Sequence, residues 1–364
     1  MEILAYIILA FAVIQLIVAM INTIFRSTLP TSGSSDSLPL ISALIPARNE
    51  SERIGNLLYD LINQDYSNLE IIVFNDQSTD NTENIVQQYI KKDKRIRLIH
   101  SDGLPNCWLG KNYACHSMSQ LAKGQYFLFL DADVRVGKKL IHNSLNYIQK
   151  NKLRLLSIFP HQVMVTPGEK ATVPMMNYIL LTLLPLVLVR TSKYPSLSAA
   201  NGQFMMFDAS SYQSVWPHNL FKNNKVEDIA IARHYKSIGK KVGCLVGDSN
   251  IQCRMYNGFN EAVNGFSKNV TAFFGHSFLI AILFWTFTTL GVAGIGWTLQ
   301  SIYLYIYLSV IITTRVLVSI VSKQSWAENL IYLIPQQISL GIFIYKAFIN
   351  QFKAGYTWKG RKIS

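Results

Sequence analysis

The sequence predicts an α/β domain, doubly wound about a mostly parallel sheet and held to a membrane by apolar helices at both ends. Three observations carry this. Between residues 40 and 135 short apolar runs alternate with stretches of helical periodicity, the pattern of strands joined by crossover helices. Residues 3–25 contain no charge, and such a run spans about 30 Å of hydrocarbon as a helix. The C-terminal part is apolar again, which accounts for a hydrophobic content of 50% and a mean hydropathy of +0.20.

A secretory signal would have a basic start, an apolar stretch of about 7–15 residues and a small-residue cleavage site. Only Glu2 precedes the first apolar run, which is too long, so residues 1–26 are expected to be an uncleaved transmembrane anchor. Residues 27–39, "STLPTSGSSDSLP", form a linker rich in Ser, Gly and Pro. Residues 277–298 and 302–321 each have the length of a span, so 273–350 is expected to hold a transmembrane hairpin and a third apolar segment. That third segment, 326–350, has Glu328 near its start and is interrupted by Pro335, Gln336 and Gln337, which favours a re-entrant or interfacial helix over a full crossing. After His276 stand seven Lys or Arg (Arg315, Lys323, Lys346, Lys353, Lys359, Arg361, Lys362) against Glu328 alone. Positive charge stays inside, so the central domain and the basic tail 351–364 are placed in the cytoplasm, in a multi-pass protein of the inner membrane.

The central domain begins with a strand, "LISALIP", and a helix with apolar spacing at Ile54, Leu57, Leu58 and Leu61. "LEIIVFND" is a second strand, and "STDNTENIVQQYIKK" opens with capping residues and continues as a helix. "RIRLIH", "GKNYACHSMSQLAK" and "QYFLFLDAD" follow as strand, helix and strand. In sheets of this kind ligands bind beyond the carboxyl ends of the strands, and Glu50, Asp76, Asp131 and Asp133 all lie there. Asp131 and Asp133, at i and i+2, can reach one ion, and hard cations such as Mg²⁺ or Mn²⁺ share carboxylate oxygens with substrate phosphates. A lone D-x-D is more often a solvated turn; here it has company.

Taken in order, "IPARNE", "FNDQSTD", "LDAD" and "VEDIAIARHYKSIGKKV" resemble the family 2 glycosyltransferases over about residues 39–270. The resemblance implies a GT-A fold, a Rossmann-like nucleotide-sugar-binding domain, over residues 40–272. It places the donor against Pro46, Ala47, Arg48, Glu50 and Asp76, with Asp131 and Asp133 meeting ribose and a Mg²⁺ or Mn²⁺ ion on the diphosphate. It makes Asp228, with Glu227 beside it, the general base. Asn75 departs from the family, which commonly has an acid there. Lys111 and Arg254 are further donor-side candidates: "LGK" is not a nucleotide P-loop, and the Arg254 fork suits phosphate.

"SAANGQFMMFD", "CRMYNGFNEAVNGFSKN" and "YTWKGRKI" look like membrane glycosyltransferases acting on polyisoprenoid or sphingoid lipids. Bacterial carotenoid- and hopanoid-associated enzymes are the nearest resemblance and ceramide glucosyltransferase a more distant one. On this basis Asn201, Gly202, Gln203, Tyr256, Trp358 and Arg361 are acceptor-side candidates, and an in-plane helix near 175–190 is expected at the acceptor's mouth. The implied reaction is inverting transfer of one hexose from a UDP-sugar to a carotenoid, hopanoid or sphingolipid at the cytoplasmic face of the bilayer. A polyprenyl phosphate acceptor and a non-catalytic membrane scaffold remain as alternatives. "QCRMY" lacks the Q-x-x-R-W spacing of processive synthases. The net charge of +13 by itself raises nucleic acid, but no basic patch interleaved with aromatics accompanies it. Four cysteines without C-x-x-C pairing are expected to be reduced, buried small hydrophobes. His161, His218, His234 and His276, lacking metal-ligand spacing, are expected on helix or loop surfaces.

Overall fold

Apolar runs that end in Asn, Asp or Ala lay down a sheet whose carboxyl ends collect polar groups. The computed structural model describes residues 1–26, 28–29, 38–351, 356–358 and 361–363, the last two groups by backbone alone. Most of the expected linker and half of the basic tail therefore lie outside the described residues.

After α1 (Glu2–Ile24) the chain alternates through β1 (Ile41–Ala47), α2 (Ile54–Ile62), β2 (Leu69–Asn75), α3 (Thr82–Lys92), β3 (Ile96–His100), α4 (Gly110–Leu121) and β4 (Tyr126–Leu130). These strands pair in parallel in the order β3-β2-β1-β4, as the alternation predicts. Next come β5 (Val134–Val136), α5 (Leu140–Lys150), β6 (Leu155–Phe159), β7 (His161–Gln162), α6 (Pro167–Lys170), α7 (Pro174–Leu183) and α8 (Leu186–Thr191). The chain then returns as β8 (Phe204–Asp208), antiparallel to both β4 and β6. After α9 (Ala209–Gln213), α10 (Pro217–Leu220) and α11 (Glu227–Ser237), β9 (Val242–Val246) completes the order β3-β2-β1-β4-β8-β6-β9. The sheet is thus mixed. Because β8 runs backwards, its start lies beside the carboxyl end of β4. A second sheet, β5-β10-β7, is closed by β10 (Ile251–Cys253).

Alternation along the strands supplies two cores. Phe127 and Phe129 of β4 enter one with Leu44, Met205 and Phe207, while Leu128 and Leu130 enter the other with Ile45, Ile71 and Leu57.

The membrane part differs from expectation in three ways. After α12 (Phe259–Asn269) and a 3₁₀ turn (Val270–Phe274), the expected span at 277–298 divides into α13 (Phe278–Thr289) and α14 (Gly291–Thr298). Thr288 and Thr289 bond Gln337 Oε1, and Thr288 also bonds the carbonyls of Phe284 and Trp285, the kind of back-bonding that bends a helix. Past α15 (Ser301–Val321) and α16 (Trp326–Ile331), the segment with the polar interruption is a 19-residue helix, α17 (Leu333–Gln351). Its Gln336 is a buried tie, accepting from Arg315 Nη1 (2.9 Å) and donating to Lys170 O and Asn329 Oδ1 (3.0 Å each). Among the described residues two helices, α1 and α15, are long and apolar enough to cross a membrane. A third crossing exists if α12 through α13, bent by 100°, is one span.

The helix expected near 175–190 is the third difference. It forms as α7 and α8, broken at Pro185, and α7 is buried from Pro174 to Thr182 under α1, α15 and α17. Helix α7 is enclosed by its neighbours, whereas Leu183 is exposed and α8 is half-buried. Helix α1 buries Ala5, Ile8, Ala12, Gln15, Ala19 and Asn22, a stripe at alternating spacings of three and four. Its small residues let α15 and α7 approach closely. At the end of that stripe Asn22 repairs the break: Nδ2 donates to Leu181 O and Leu184 O (2.9 Å each), and Oδ1 accepts from Leu186 N (2.7 Å). Asn22→Ala leaves buried backbone groups unsatisfied and is expected to destabilise the protein by about 2–3 kcal/mol, read as a lowered thermal midpoint in detergent.

Candidate active site

Two loops at the carboxyl end of the sheet are knitted together first. Asn49 (φ 53°) and Gln77 (φ 54°) turn the chain after β1 and β2. Glu50 N donates to Thr82 Oγ1 (2.8 Å), Ser51 N to Asp80 Oδ2 (3.0 Å) and Asp76 N to Ala47 O (2.8 Å). Arg48 Nη1 donates to the Asp76 carbonyl at 2.6 Å, so this arginine braces the loop that carries Asp76. Asn75, which departs from the family pattern, holds the same loop from its other side, since its amide donates to Glu83 and its oxygen accepts from Ser78 N. Ala47 points into the core, while Pro46 lies in register with Phe74 and is half-buried.

The second half of the site is built around Lys111. Its Nζ lies 2.8 Å from Asp131 Oδ1, 3.6 Å from Glu227 Oε1 and 3.3 Å from Gly202 O. Burial alone would lower its pKa, but Asp131 and Glu227 outweigh burial and hold the ammonium well above its usual range. Gly202 N donates to Asp228 Oδ2 (2.9 Å) and Ile229 N to Asp228 Oδ1 (2.8 Å). Burial pushes the Glu227 carboxyl up to about 7, Lys111 opposing and Asp228 adding, and Asp228 is likewise raised by burial. These two carboxylates thus stand in an environment that favours taking up a proton.

Asp133, opposite, is pushed up to about 6 by burial, then by Asp131 and Glu50, with Arg53 opposing. Gln203 Nε2 makes a long contact to its Oδ1 at 3.5 Å, and the Cys253 thiol bonds it as well. This carboxylate set carries more negative charge than its surroundings offset, which is the chemistry of a cation site. Among the described residues no three His, Cys, Asp or Glu side chains gather in ligating geometry. Asp131 and Asp133 are therefore a two-carboxylate set, the kind that shares a cation with phosphate oxygens and water.

The profile of Glycosyl transferase family 2 matches residues 42–216, from β1 to beyond β8. The chain belongs to glycosyltransferase family 2. This glycosyltransferase is 25% identical over 358 residues to 4,4'-diaponeurosporenoate glycosyltransferase of Staphylococcus aureus (strain N315), covering 93% of this chain and 92% of that one. It is 27% identical over 239 residues to the protein of the same name from Staphylococcus haemolyticus (strain JCSC1435), covering 63% of this chain and 60% of the relative's length. The structure of mannosyltransferase PcManGT from Pyrobaculum calidifontis, in complex with GDP-Man and Mn²⁺, matches with a TM-score of 0.58 over 96% of this chain and 99% of that one. At 12% identity that is a likeness of fold: GT-A-like α/β with a mixed central sheet.

Within this family 2 enzyme the expected residues fall into distinct places. Glu227, Asp228, Lys111, Asp131 and Gly202 meet directly, and Asp133 adjoins them through Gln203. Gln203, assigned to the acceptor side, stands beside Asp133 and donates to Cys253 Sγ (2.8 Å). Asn201 is buried and braces the start of β8: its N–H donates to Ser157 Oγ and its Oδ1 accepts from Gln203 N. Arg254 Nη2 is held by Glu169 Oε1 at 2.8 Å. Tyr256 packs edge-on against Phe266. Trp358 and Arg361 pair across the ribbon β11 (Tyr356–Trp358) and β12 (Arg361–Ile363), and their side chains lie outside the described residues. His218 corrects the surface expectation: it is buried, bonded through Nδ1 to Tyr212 OH (2.7 Å), and burial lowers its pKa to about 3. Cys115, Cys244 and Cys253 are buried as expected, whereas Cys107 is exposed.

Two residues that carry no catalytic motif also support the site. Asn112 points its amide at the carbonyls of Phe221, Lys222 and Asn224 (3.0, 3.2 and 3.1 Å), fixing the loop before α11. Glu169 closes a capping box with Thr166 and anchors Arg254; "TPGE", with Pro at the first helical position, is its legible signal in the sequence. Burial would raise the Glu169 carboxyl, but the Arg254 bond and the amides of Val165 and Thr166 bring it to about 2. A depressed carboxyl stabilises above its ordinary value of 4.5 and loses that contribution as pH falls toward 2. Glu169→Gln is expected to lower the thermal midpoint at neutral pH and to flatten its decline across that window.

A Cβ at Gly202 would stand 2.8 Å from Lys111 Nζ and 3.4 Å from Glu227 Oε1. The flexible lysine end can yield, so Gly202→Ala is expected to fold normally. Moving the ammonium off its carboxylates should cost about 10²-fold in kcat, with the thermal midpoint unchanged.

Proposed function

We propose that this family 2 glycosyltransferase moves one hexose, with inversion, from a UDP-sugar to an oxygen of an apolar membrane lipid, a carotenoid acid or its like, at the cytoplasmic face of the inner membrane. The observation that carries the reading is the meeting of two carboxylate groups across Lys111 and Gly202: Asp131 with Asp133 on the β4 side, Glu227 with Asp228 on the α11 side. The first suits a donor diphosphate and the second an acceptor O–H. The names of the staphylococcal relatives support a carotenoid acid, and the apolar helices against the catalytic domain support an acceptor drawn from a bilayer.

Asp131 and Asp133 would hold Mg²⁺ or Mn²⁺, which when bound supplies positive charge to the leaving diphosphate. Lys111 and Arg254 add fixed positive charge on the donor side. Glu50, Asp76 and the braced loops around them form the wall for the nucleoside. A lipid acid leaving an apolar setting arrives in its neutral form, since desolvation disfavours the charged one, and so presents an O–H like an alcohol. Asp228, supported by Glu227, takes that proton as the acceptor oxygen attacks the anomeric carbon from the face opposite the diphosphate. One displacement with a single base inverts the configuration.

The test is UDP release by the purified protein in lipid, from a panel of UDP-sugars, with and without total lipid extract. Lipid-stimulated release is expected, with an acid limb in the pH profile displaced above the usual carboxylate range, because burial raises Asp228 and pushes Glu227 up to about 7, and the pair loses its capacity as a base on protonation. Asp228→Asn should lower kcat by about 10²–10⁴-fold while leaving the donor KM near its original value. A near-silent Asp228→Asn would instead identify an acceptor that is already anionic, such as a polyprenyl phosphate.

A further inference from the structure

Asp133, one of the two carboxylates proposed to hold the donor's cation, is bonded by two side chains that carry no charge. The first is Cys253, the last residue of β10. Strand register sets it against Val134, the residue after Asp133, on one side and against Gln162 of β7 on the other, and Val163 N donates to its carbonyl at 2.8 Å. Its backbone is therefore fixed from two directions, and the residue is 1% exposed. The sulfur accepts from Gln203 Nε2 at 2.8 Å, and the thiol bonds the Asp133 carboxylate. Burial and then Asp133 raise this thiol well above its usual range, so it stands as an S–H that donates to the acid while its sulfur accepts from the amide.

The second is Gln203, just before the reversed strand β8. Its N–H donates to Asn201 Oδ1 (2.8 Å) and its carbonyl accepts from Asp131 N (3.3 Å), so its backbone too is tied to the D-x-D turn. Its amide nitrogen faces both Cys253 Sγ and Asp133 Oδ1, the latter at 3.5 Å. The amide oxygen of the same side chain is buried and has no partner among the described residues. Buried acceptors are almost always paired, and one left unpaired beside two carboxylates marks a place where water or an ion belongs. The two carboxylates are thus held in different ways. Asp131 is taken by the Lys111 ammonium at 2.8 Å, whereas a thiol and an amide orient Asp133 without cancelling its charge. Neutral partners of this kind fix a ligand's direction and leave its charge to the metal.

We propose that Cys253 is a positioning residue for the donor's divalent cation: its thiol, bridging Gln203 and Asp133, sets the Asp133 carboxylate in the direction from which it meets the ion. This role rests on Asp131 and Asp133 being the cation's holders, and it is independent of the sugar and of the acceptor. Loss of such a partner weakens a bound metal by about 10–100-fold.

The test is Mn²⁺ titrated into the full chain in detergent, with and without UDP, bound metal being read from the loss of the free ion's electron paramagnetic resonance signal. Wild type is expected to bind one Mn²⁺ and Asp133→Asn to lose it. No binding by wild type, or equal binding by Asp133→Asn, overturns the cation reading on which the role rests. Against a wild type that binds, Cys253→Ala is expected to weaken Mn²⁺ by about 10–100-fold. Cys253→Ser, equal in size to the alanine variant but carrying a hydroxyl that can donate to Asp133 and accept from Gln203, is expected to restore most of that affinity. Binding by Cys253→Ala equal to wild type overturns the positioning role. Alanine and serine variants that are equally weak reduce Cys253 to packing and overturn it too. Should Cys253→Ala fail to fold, Gln203→Met cuts the same bridge from its other end: weakened Mn²⁺ is expected there, and unchanged binding overturns the role.

Discussion

One ammonium holds the catalytic end of this enzyme together. Lys111 sits on α4, yet its contacts belong to the end of β4, the start of β8 and the first residue of α11. Without a buried cation there, Asp131, Glu227 and Asp228 would repel one another in a region of low dielectric, and burial would drive them to their neutral forms. With it, Asp131 is paired at 2.8 Å, while Glu227 and Asp228 keep carboxyls raised by burial. A single charge thus joins the two carboxylate groups to which the proposed reaction gives donor and acceptor roles. The geometry also requires a residue without a side chain at Gly202, where the backbone passes between the lysine and the two acids.

The reversed strand β8 is what makes this meeting possible. In a wholly parallel sheet, the chain entering a strand would lie at the amino end, away from the ligand crevice. Antiparallel pairing of Leu130 with Phe204 brings residues 201–203 alongside Asp131, so that Gly202 N can donate to Asp228 and Gln203 can face Asp133. Function here follows from strand direction as much as from side-chain identity.

That point separates what could be read from the sequence and what could not. Glu50, Asp76, Asp131 and Asp133 were legible because a strand's apolar run ends abruptly in an acid, a local signal. Asp228 was legible through the ordered set of motifs. The roles of Gln203 and Asn201 were not, since "SAANGQFMMFD" does not announce the direction in which its strand is inserted, and direction decides which side of the site it serves. Glu169 carries a capping pattern, but its grip on Arg254 joins residues 85 apart in the chain. The membrane part misled for a related reason: Gln336 looks like an interruption of an apolar helix, whereas in the fold it accepts from buried Arg315 Nη1 in the interior. Hydropathy reads composition along the chain, and buried polar ties are visible only across it.

The bond between Asn22 and the break before α8 has a mechanical consequence. A helix of 23 residues is about 35 Å long, more than the hydrocarbon core of an average bilayer. A loosely tethered anchor would take up that difference by leaning, without disturbing what it carries. Here α1 is fastened near its C-terminal end to the break between α7 and α8, so a spanning α1 and the catalytic domain would lean as one body. Bilayer thickness would then set the pitch of the crevice, and a thinner membrane would tip its mouth through the same angle as the helix.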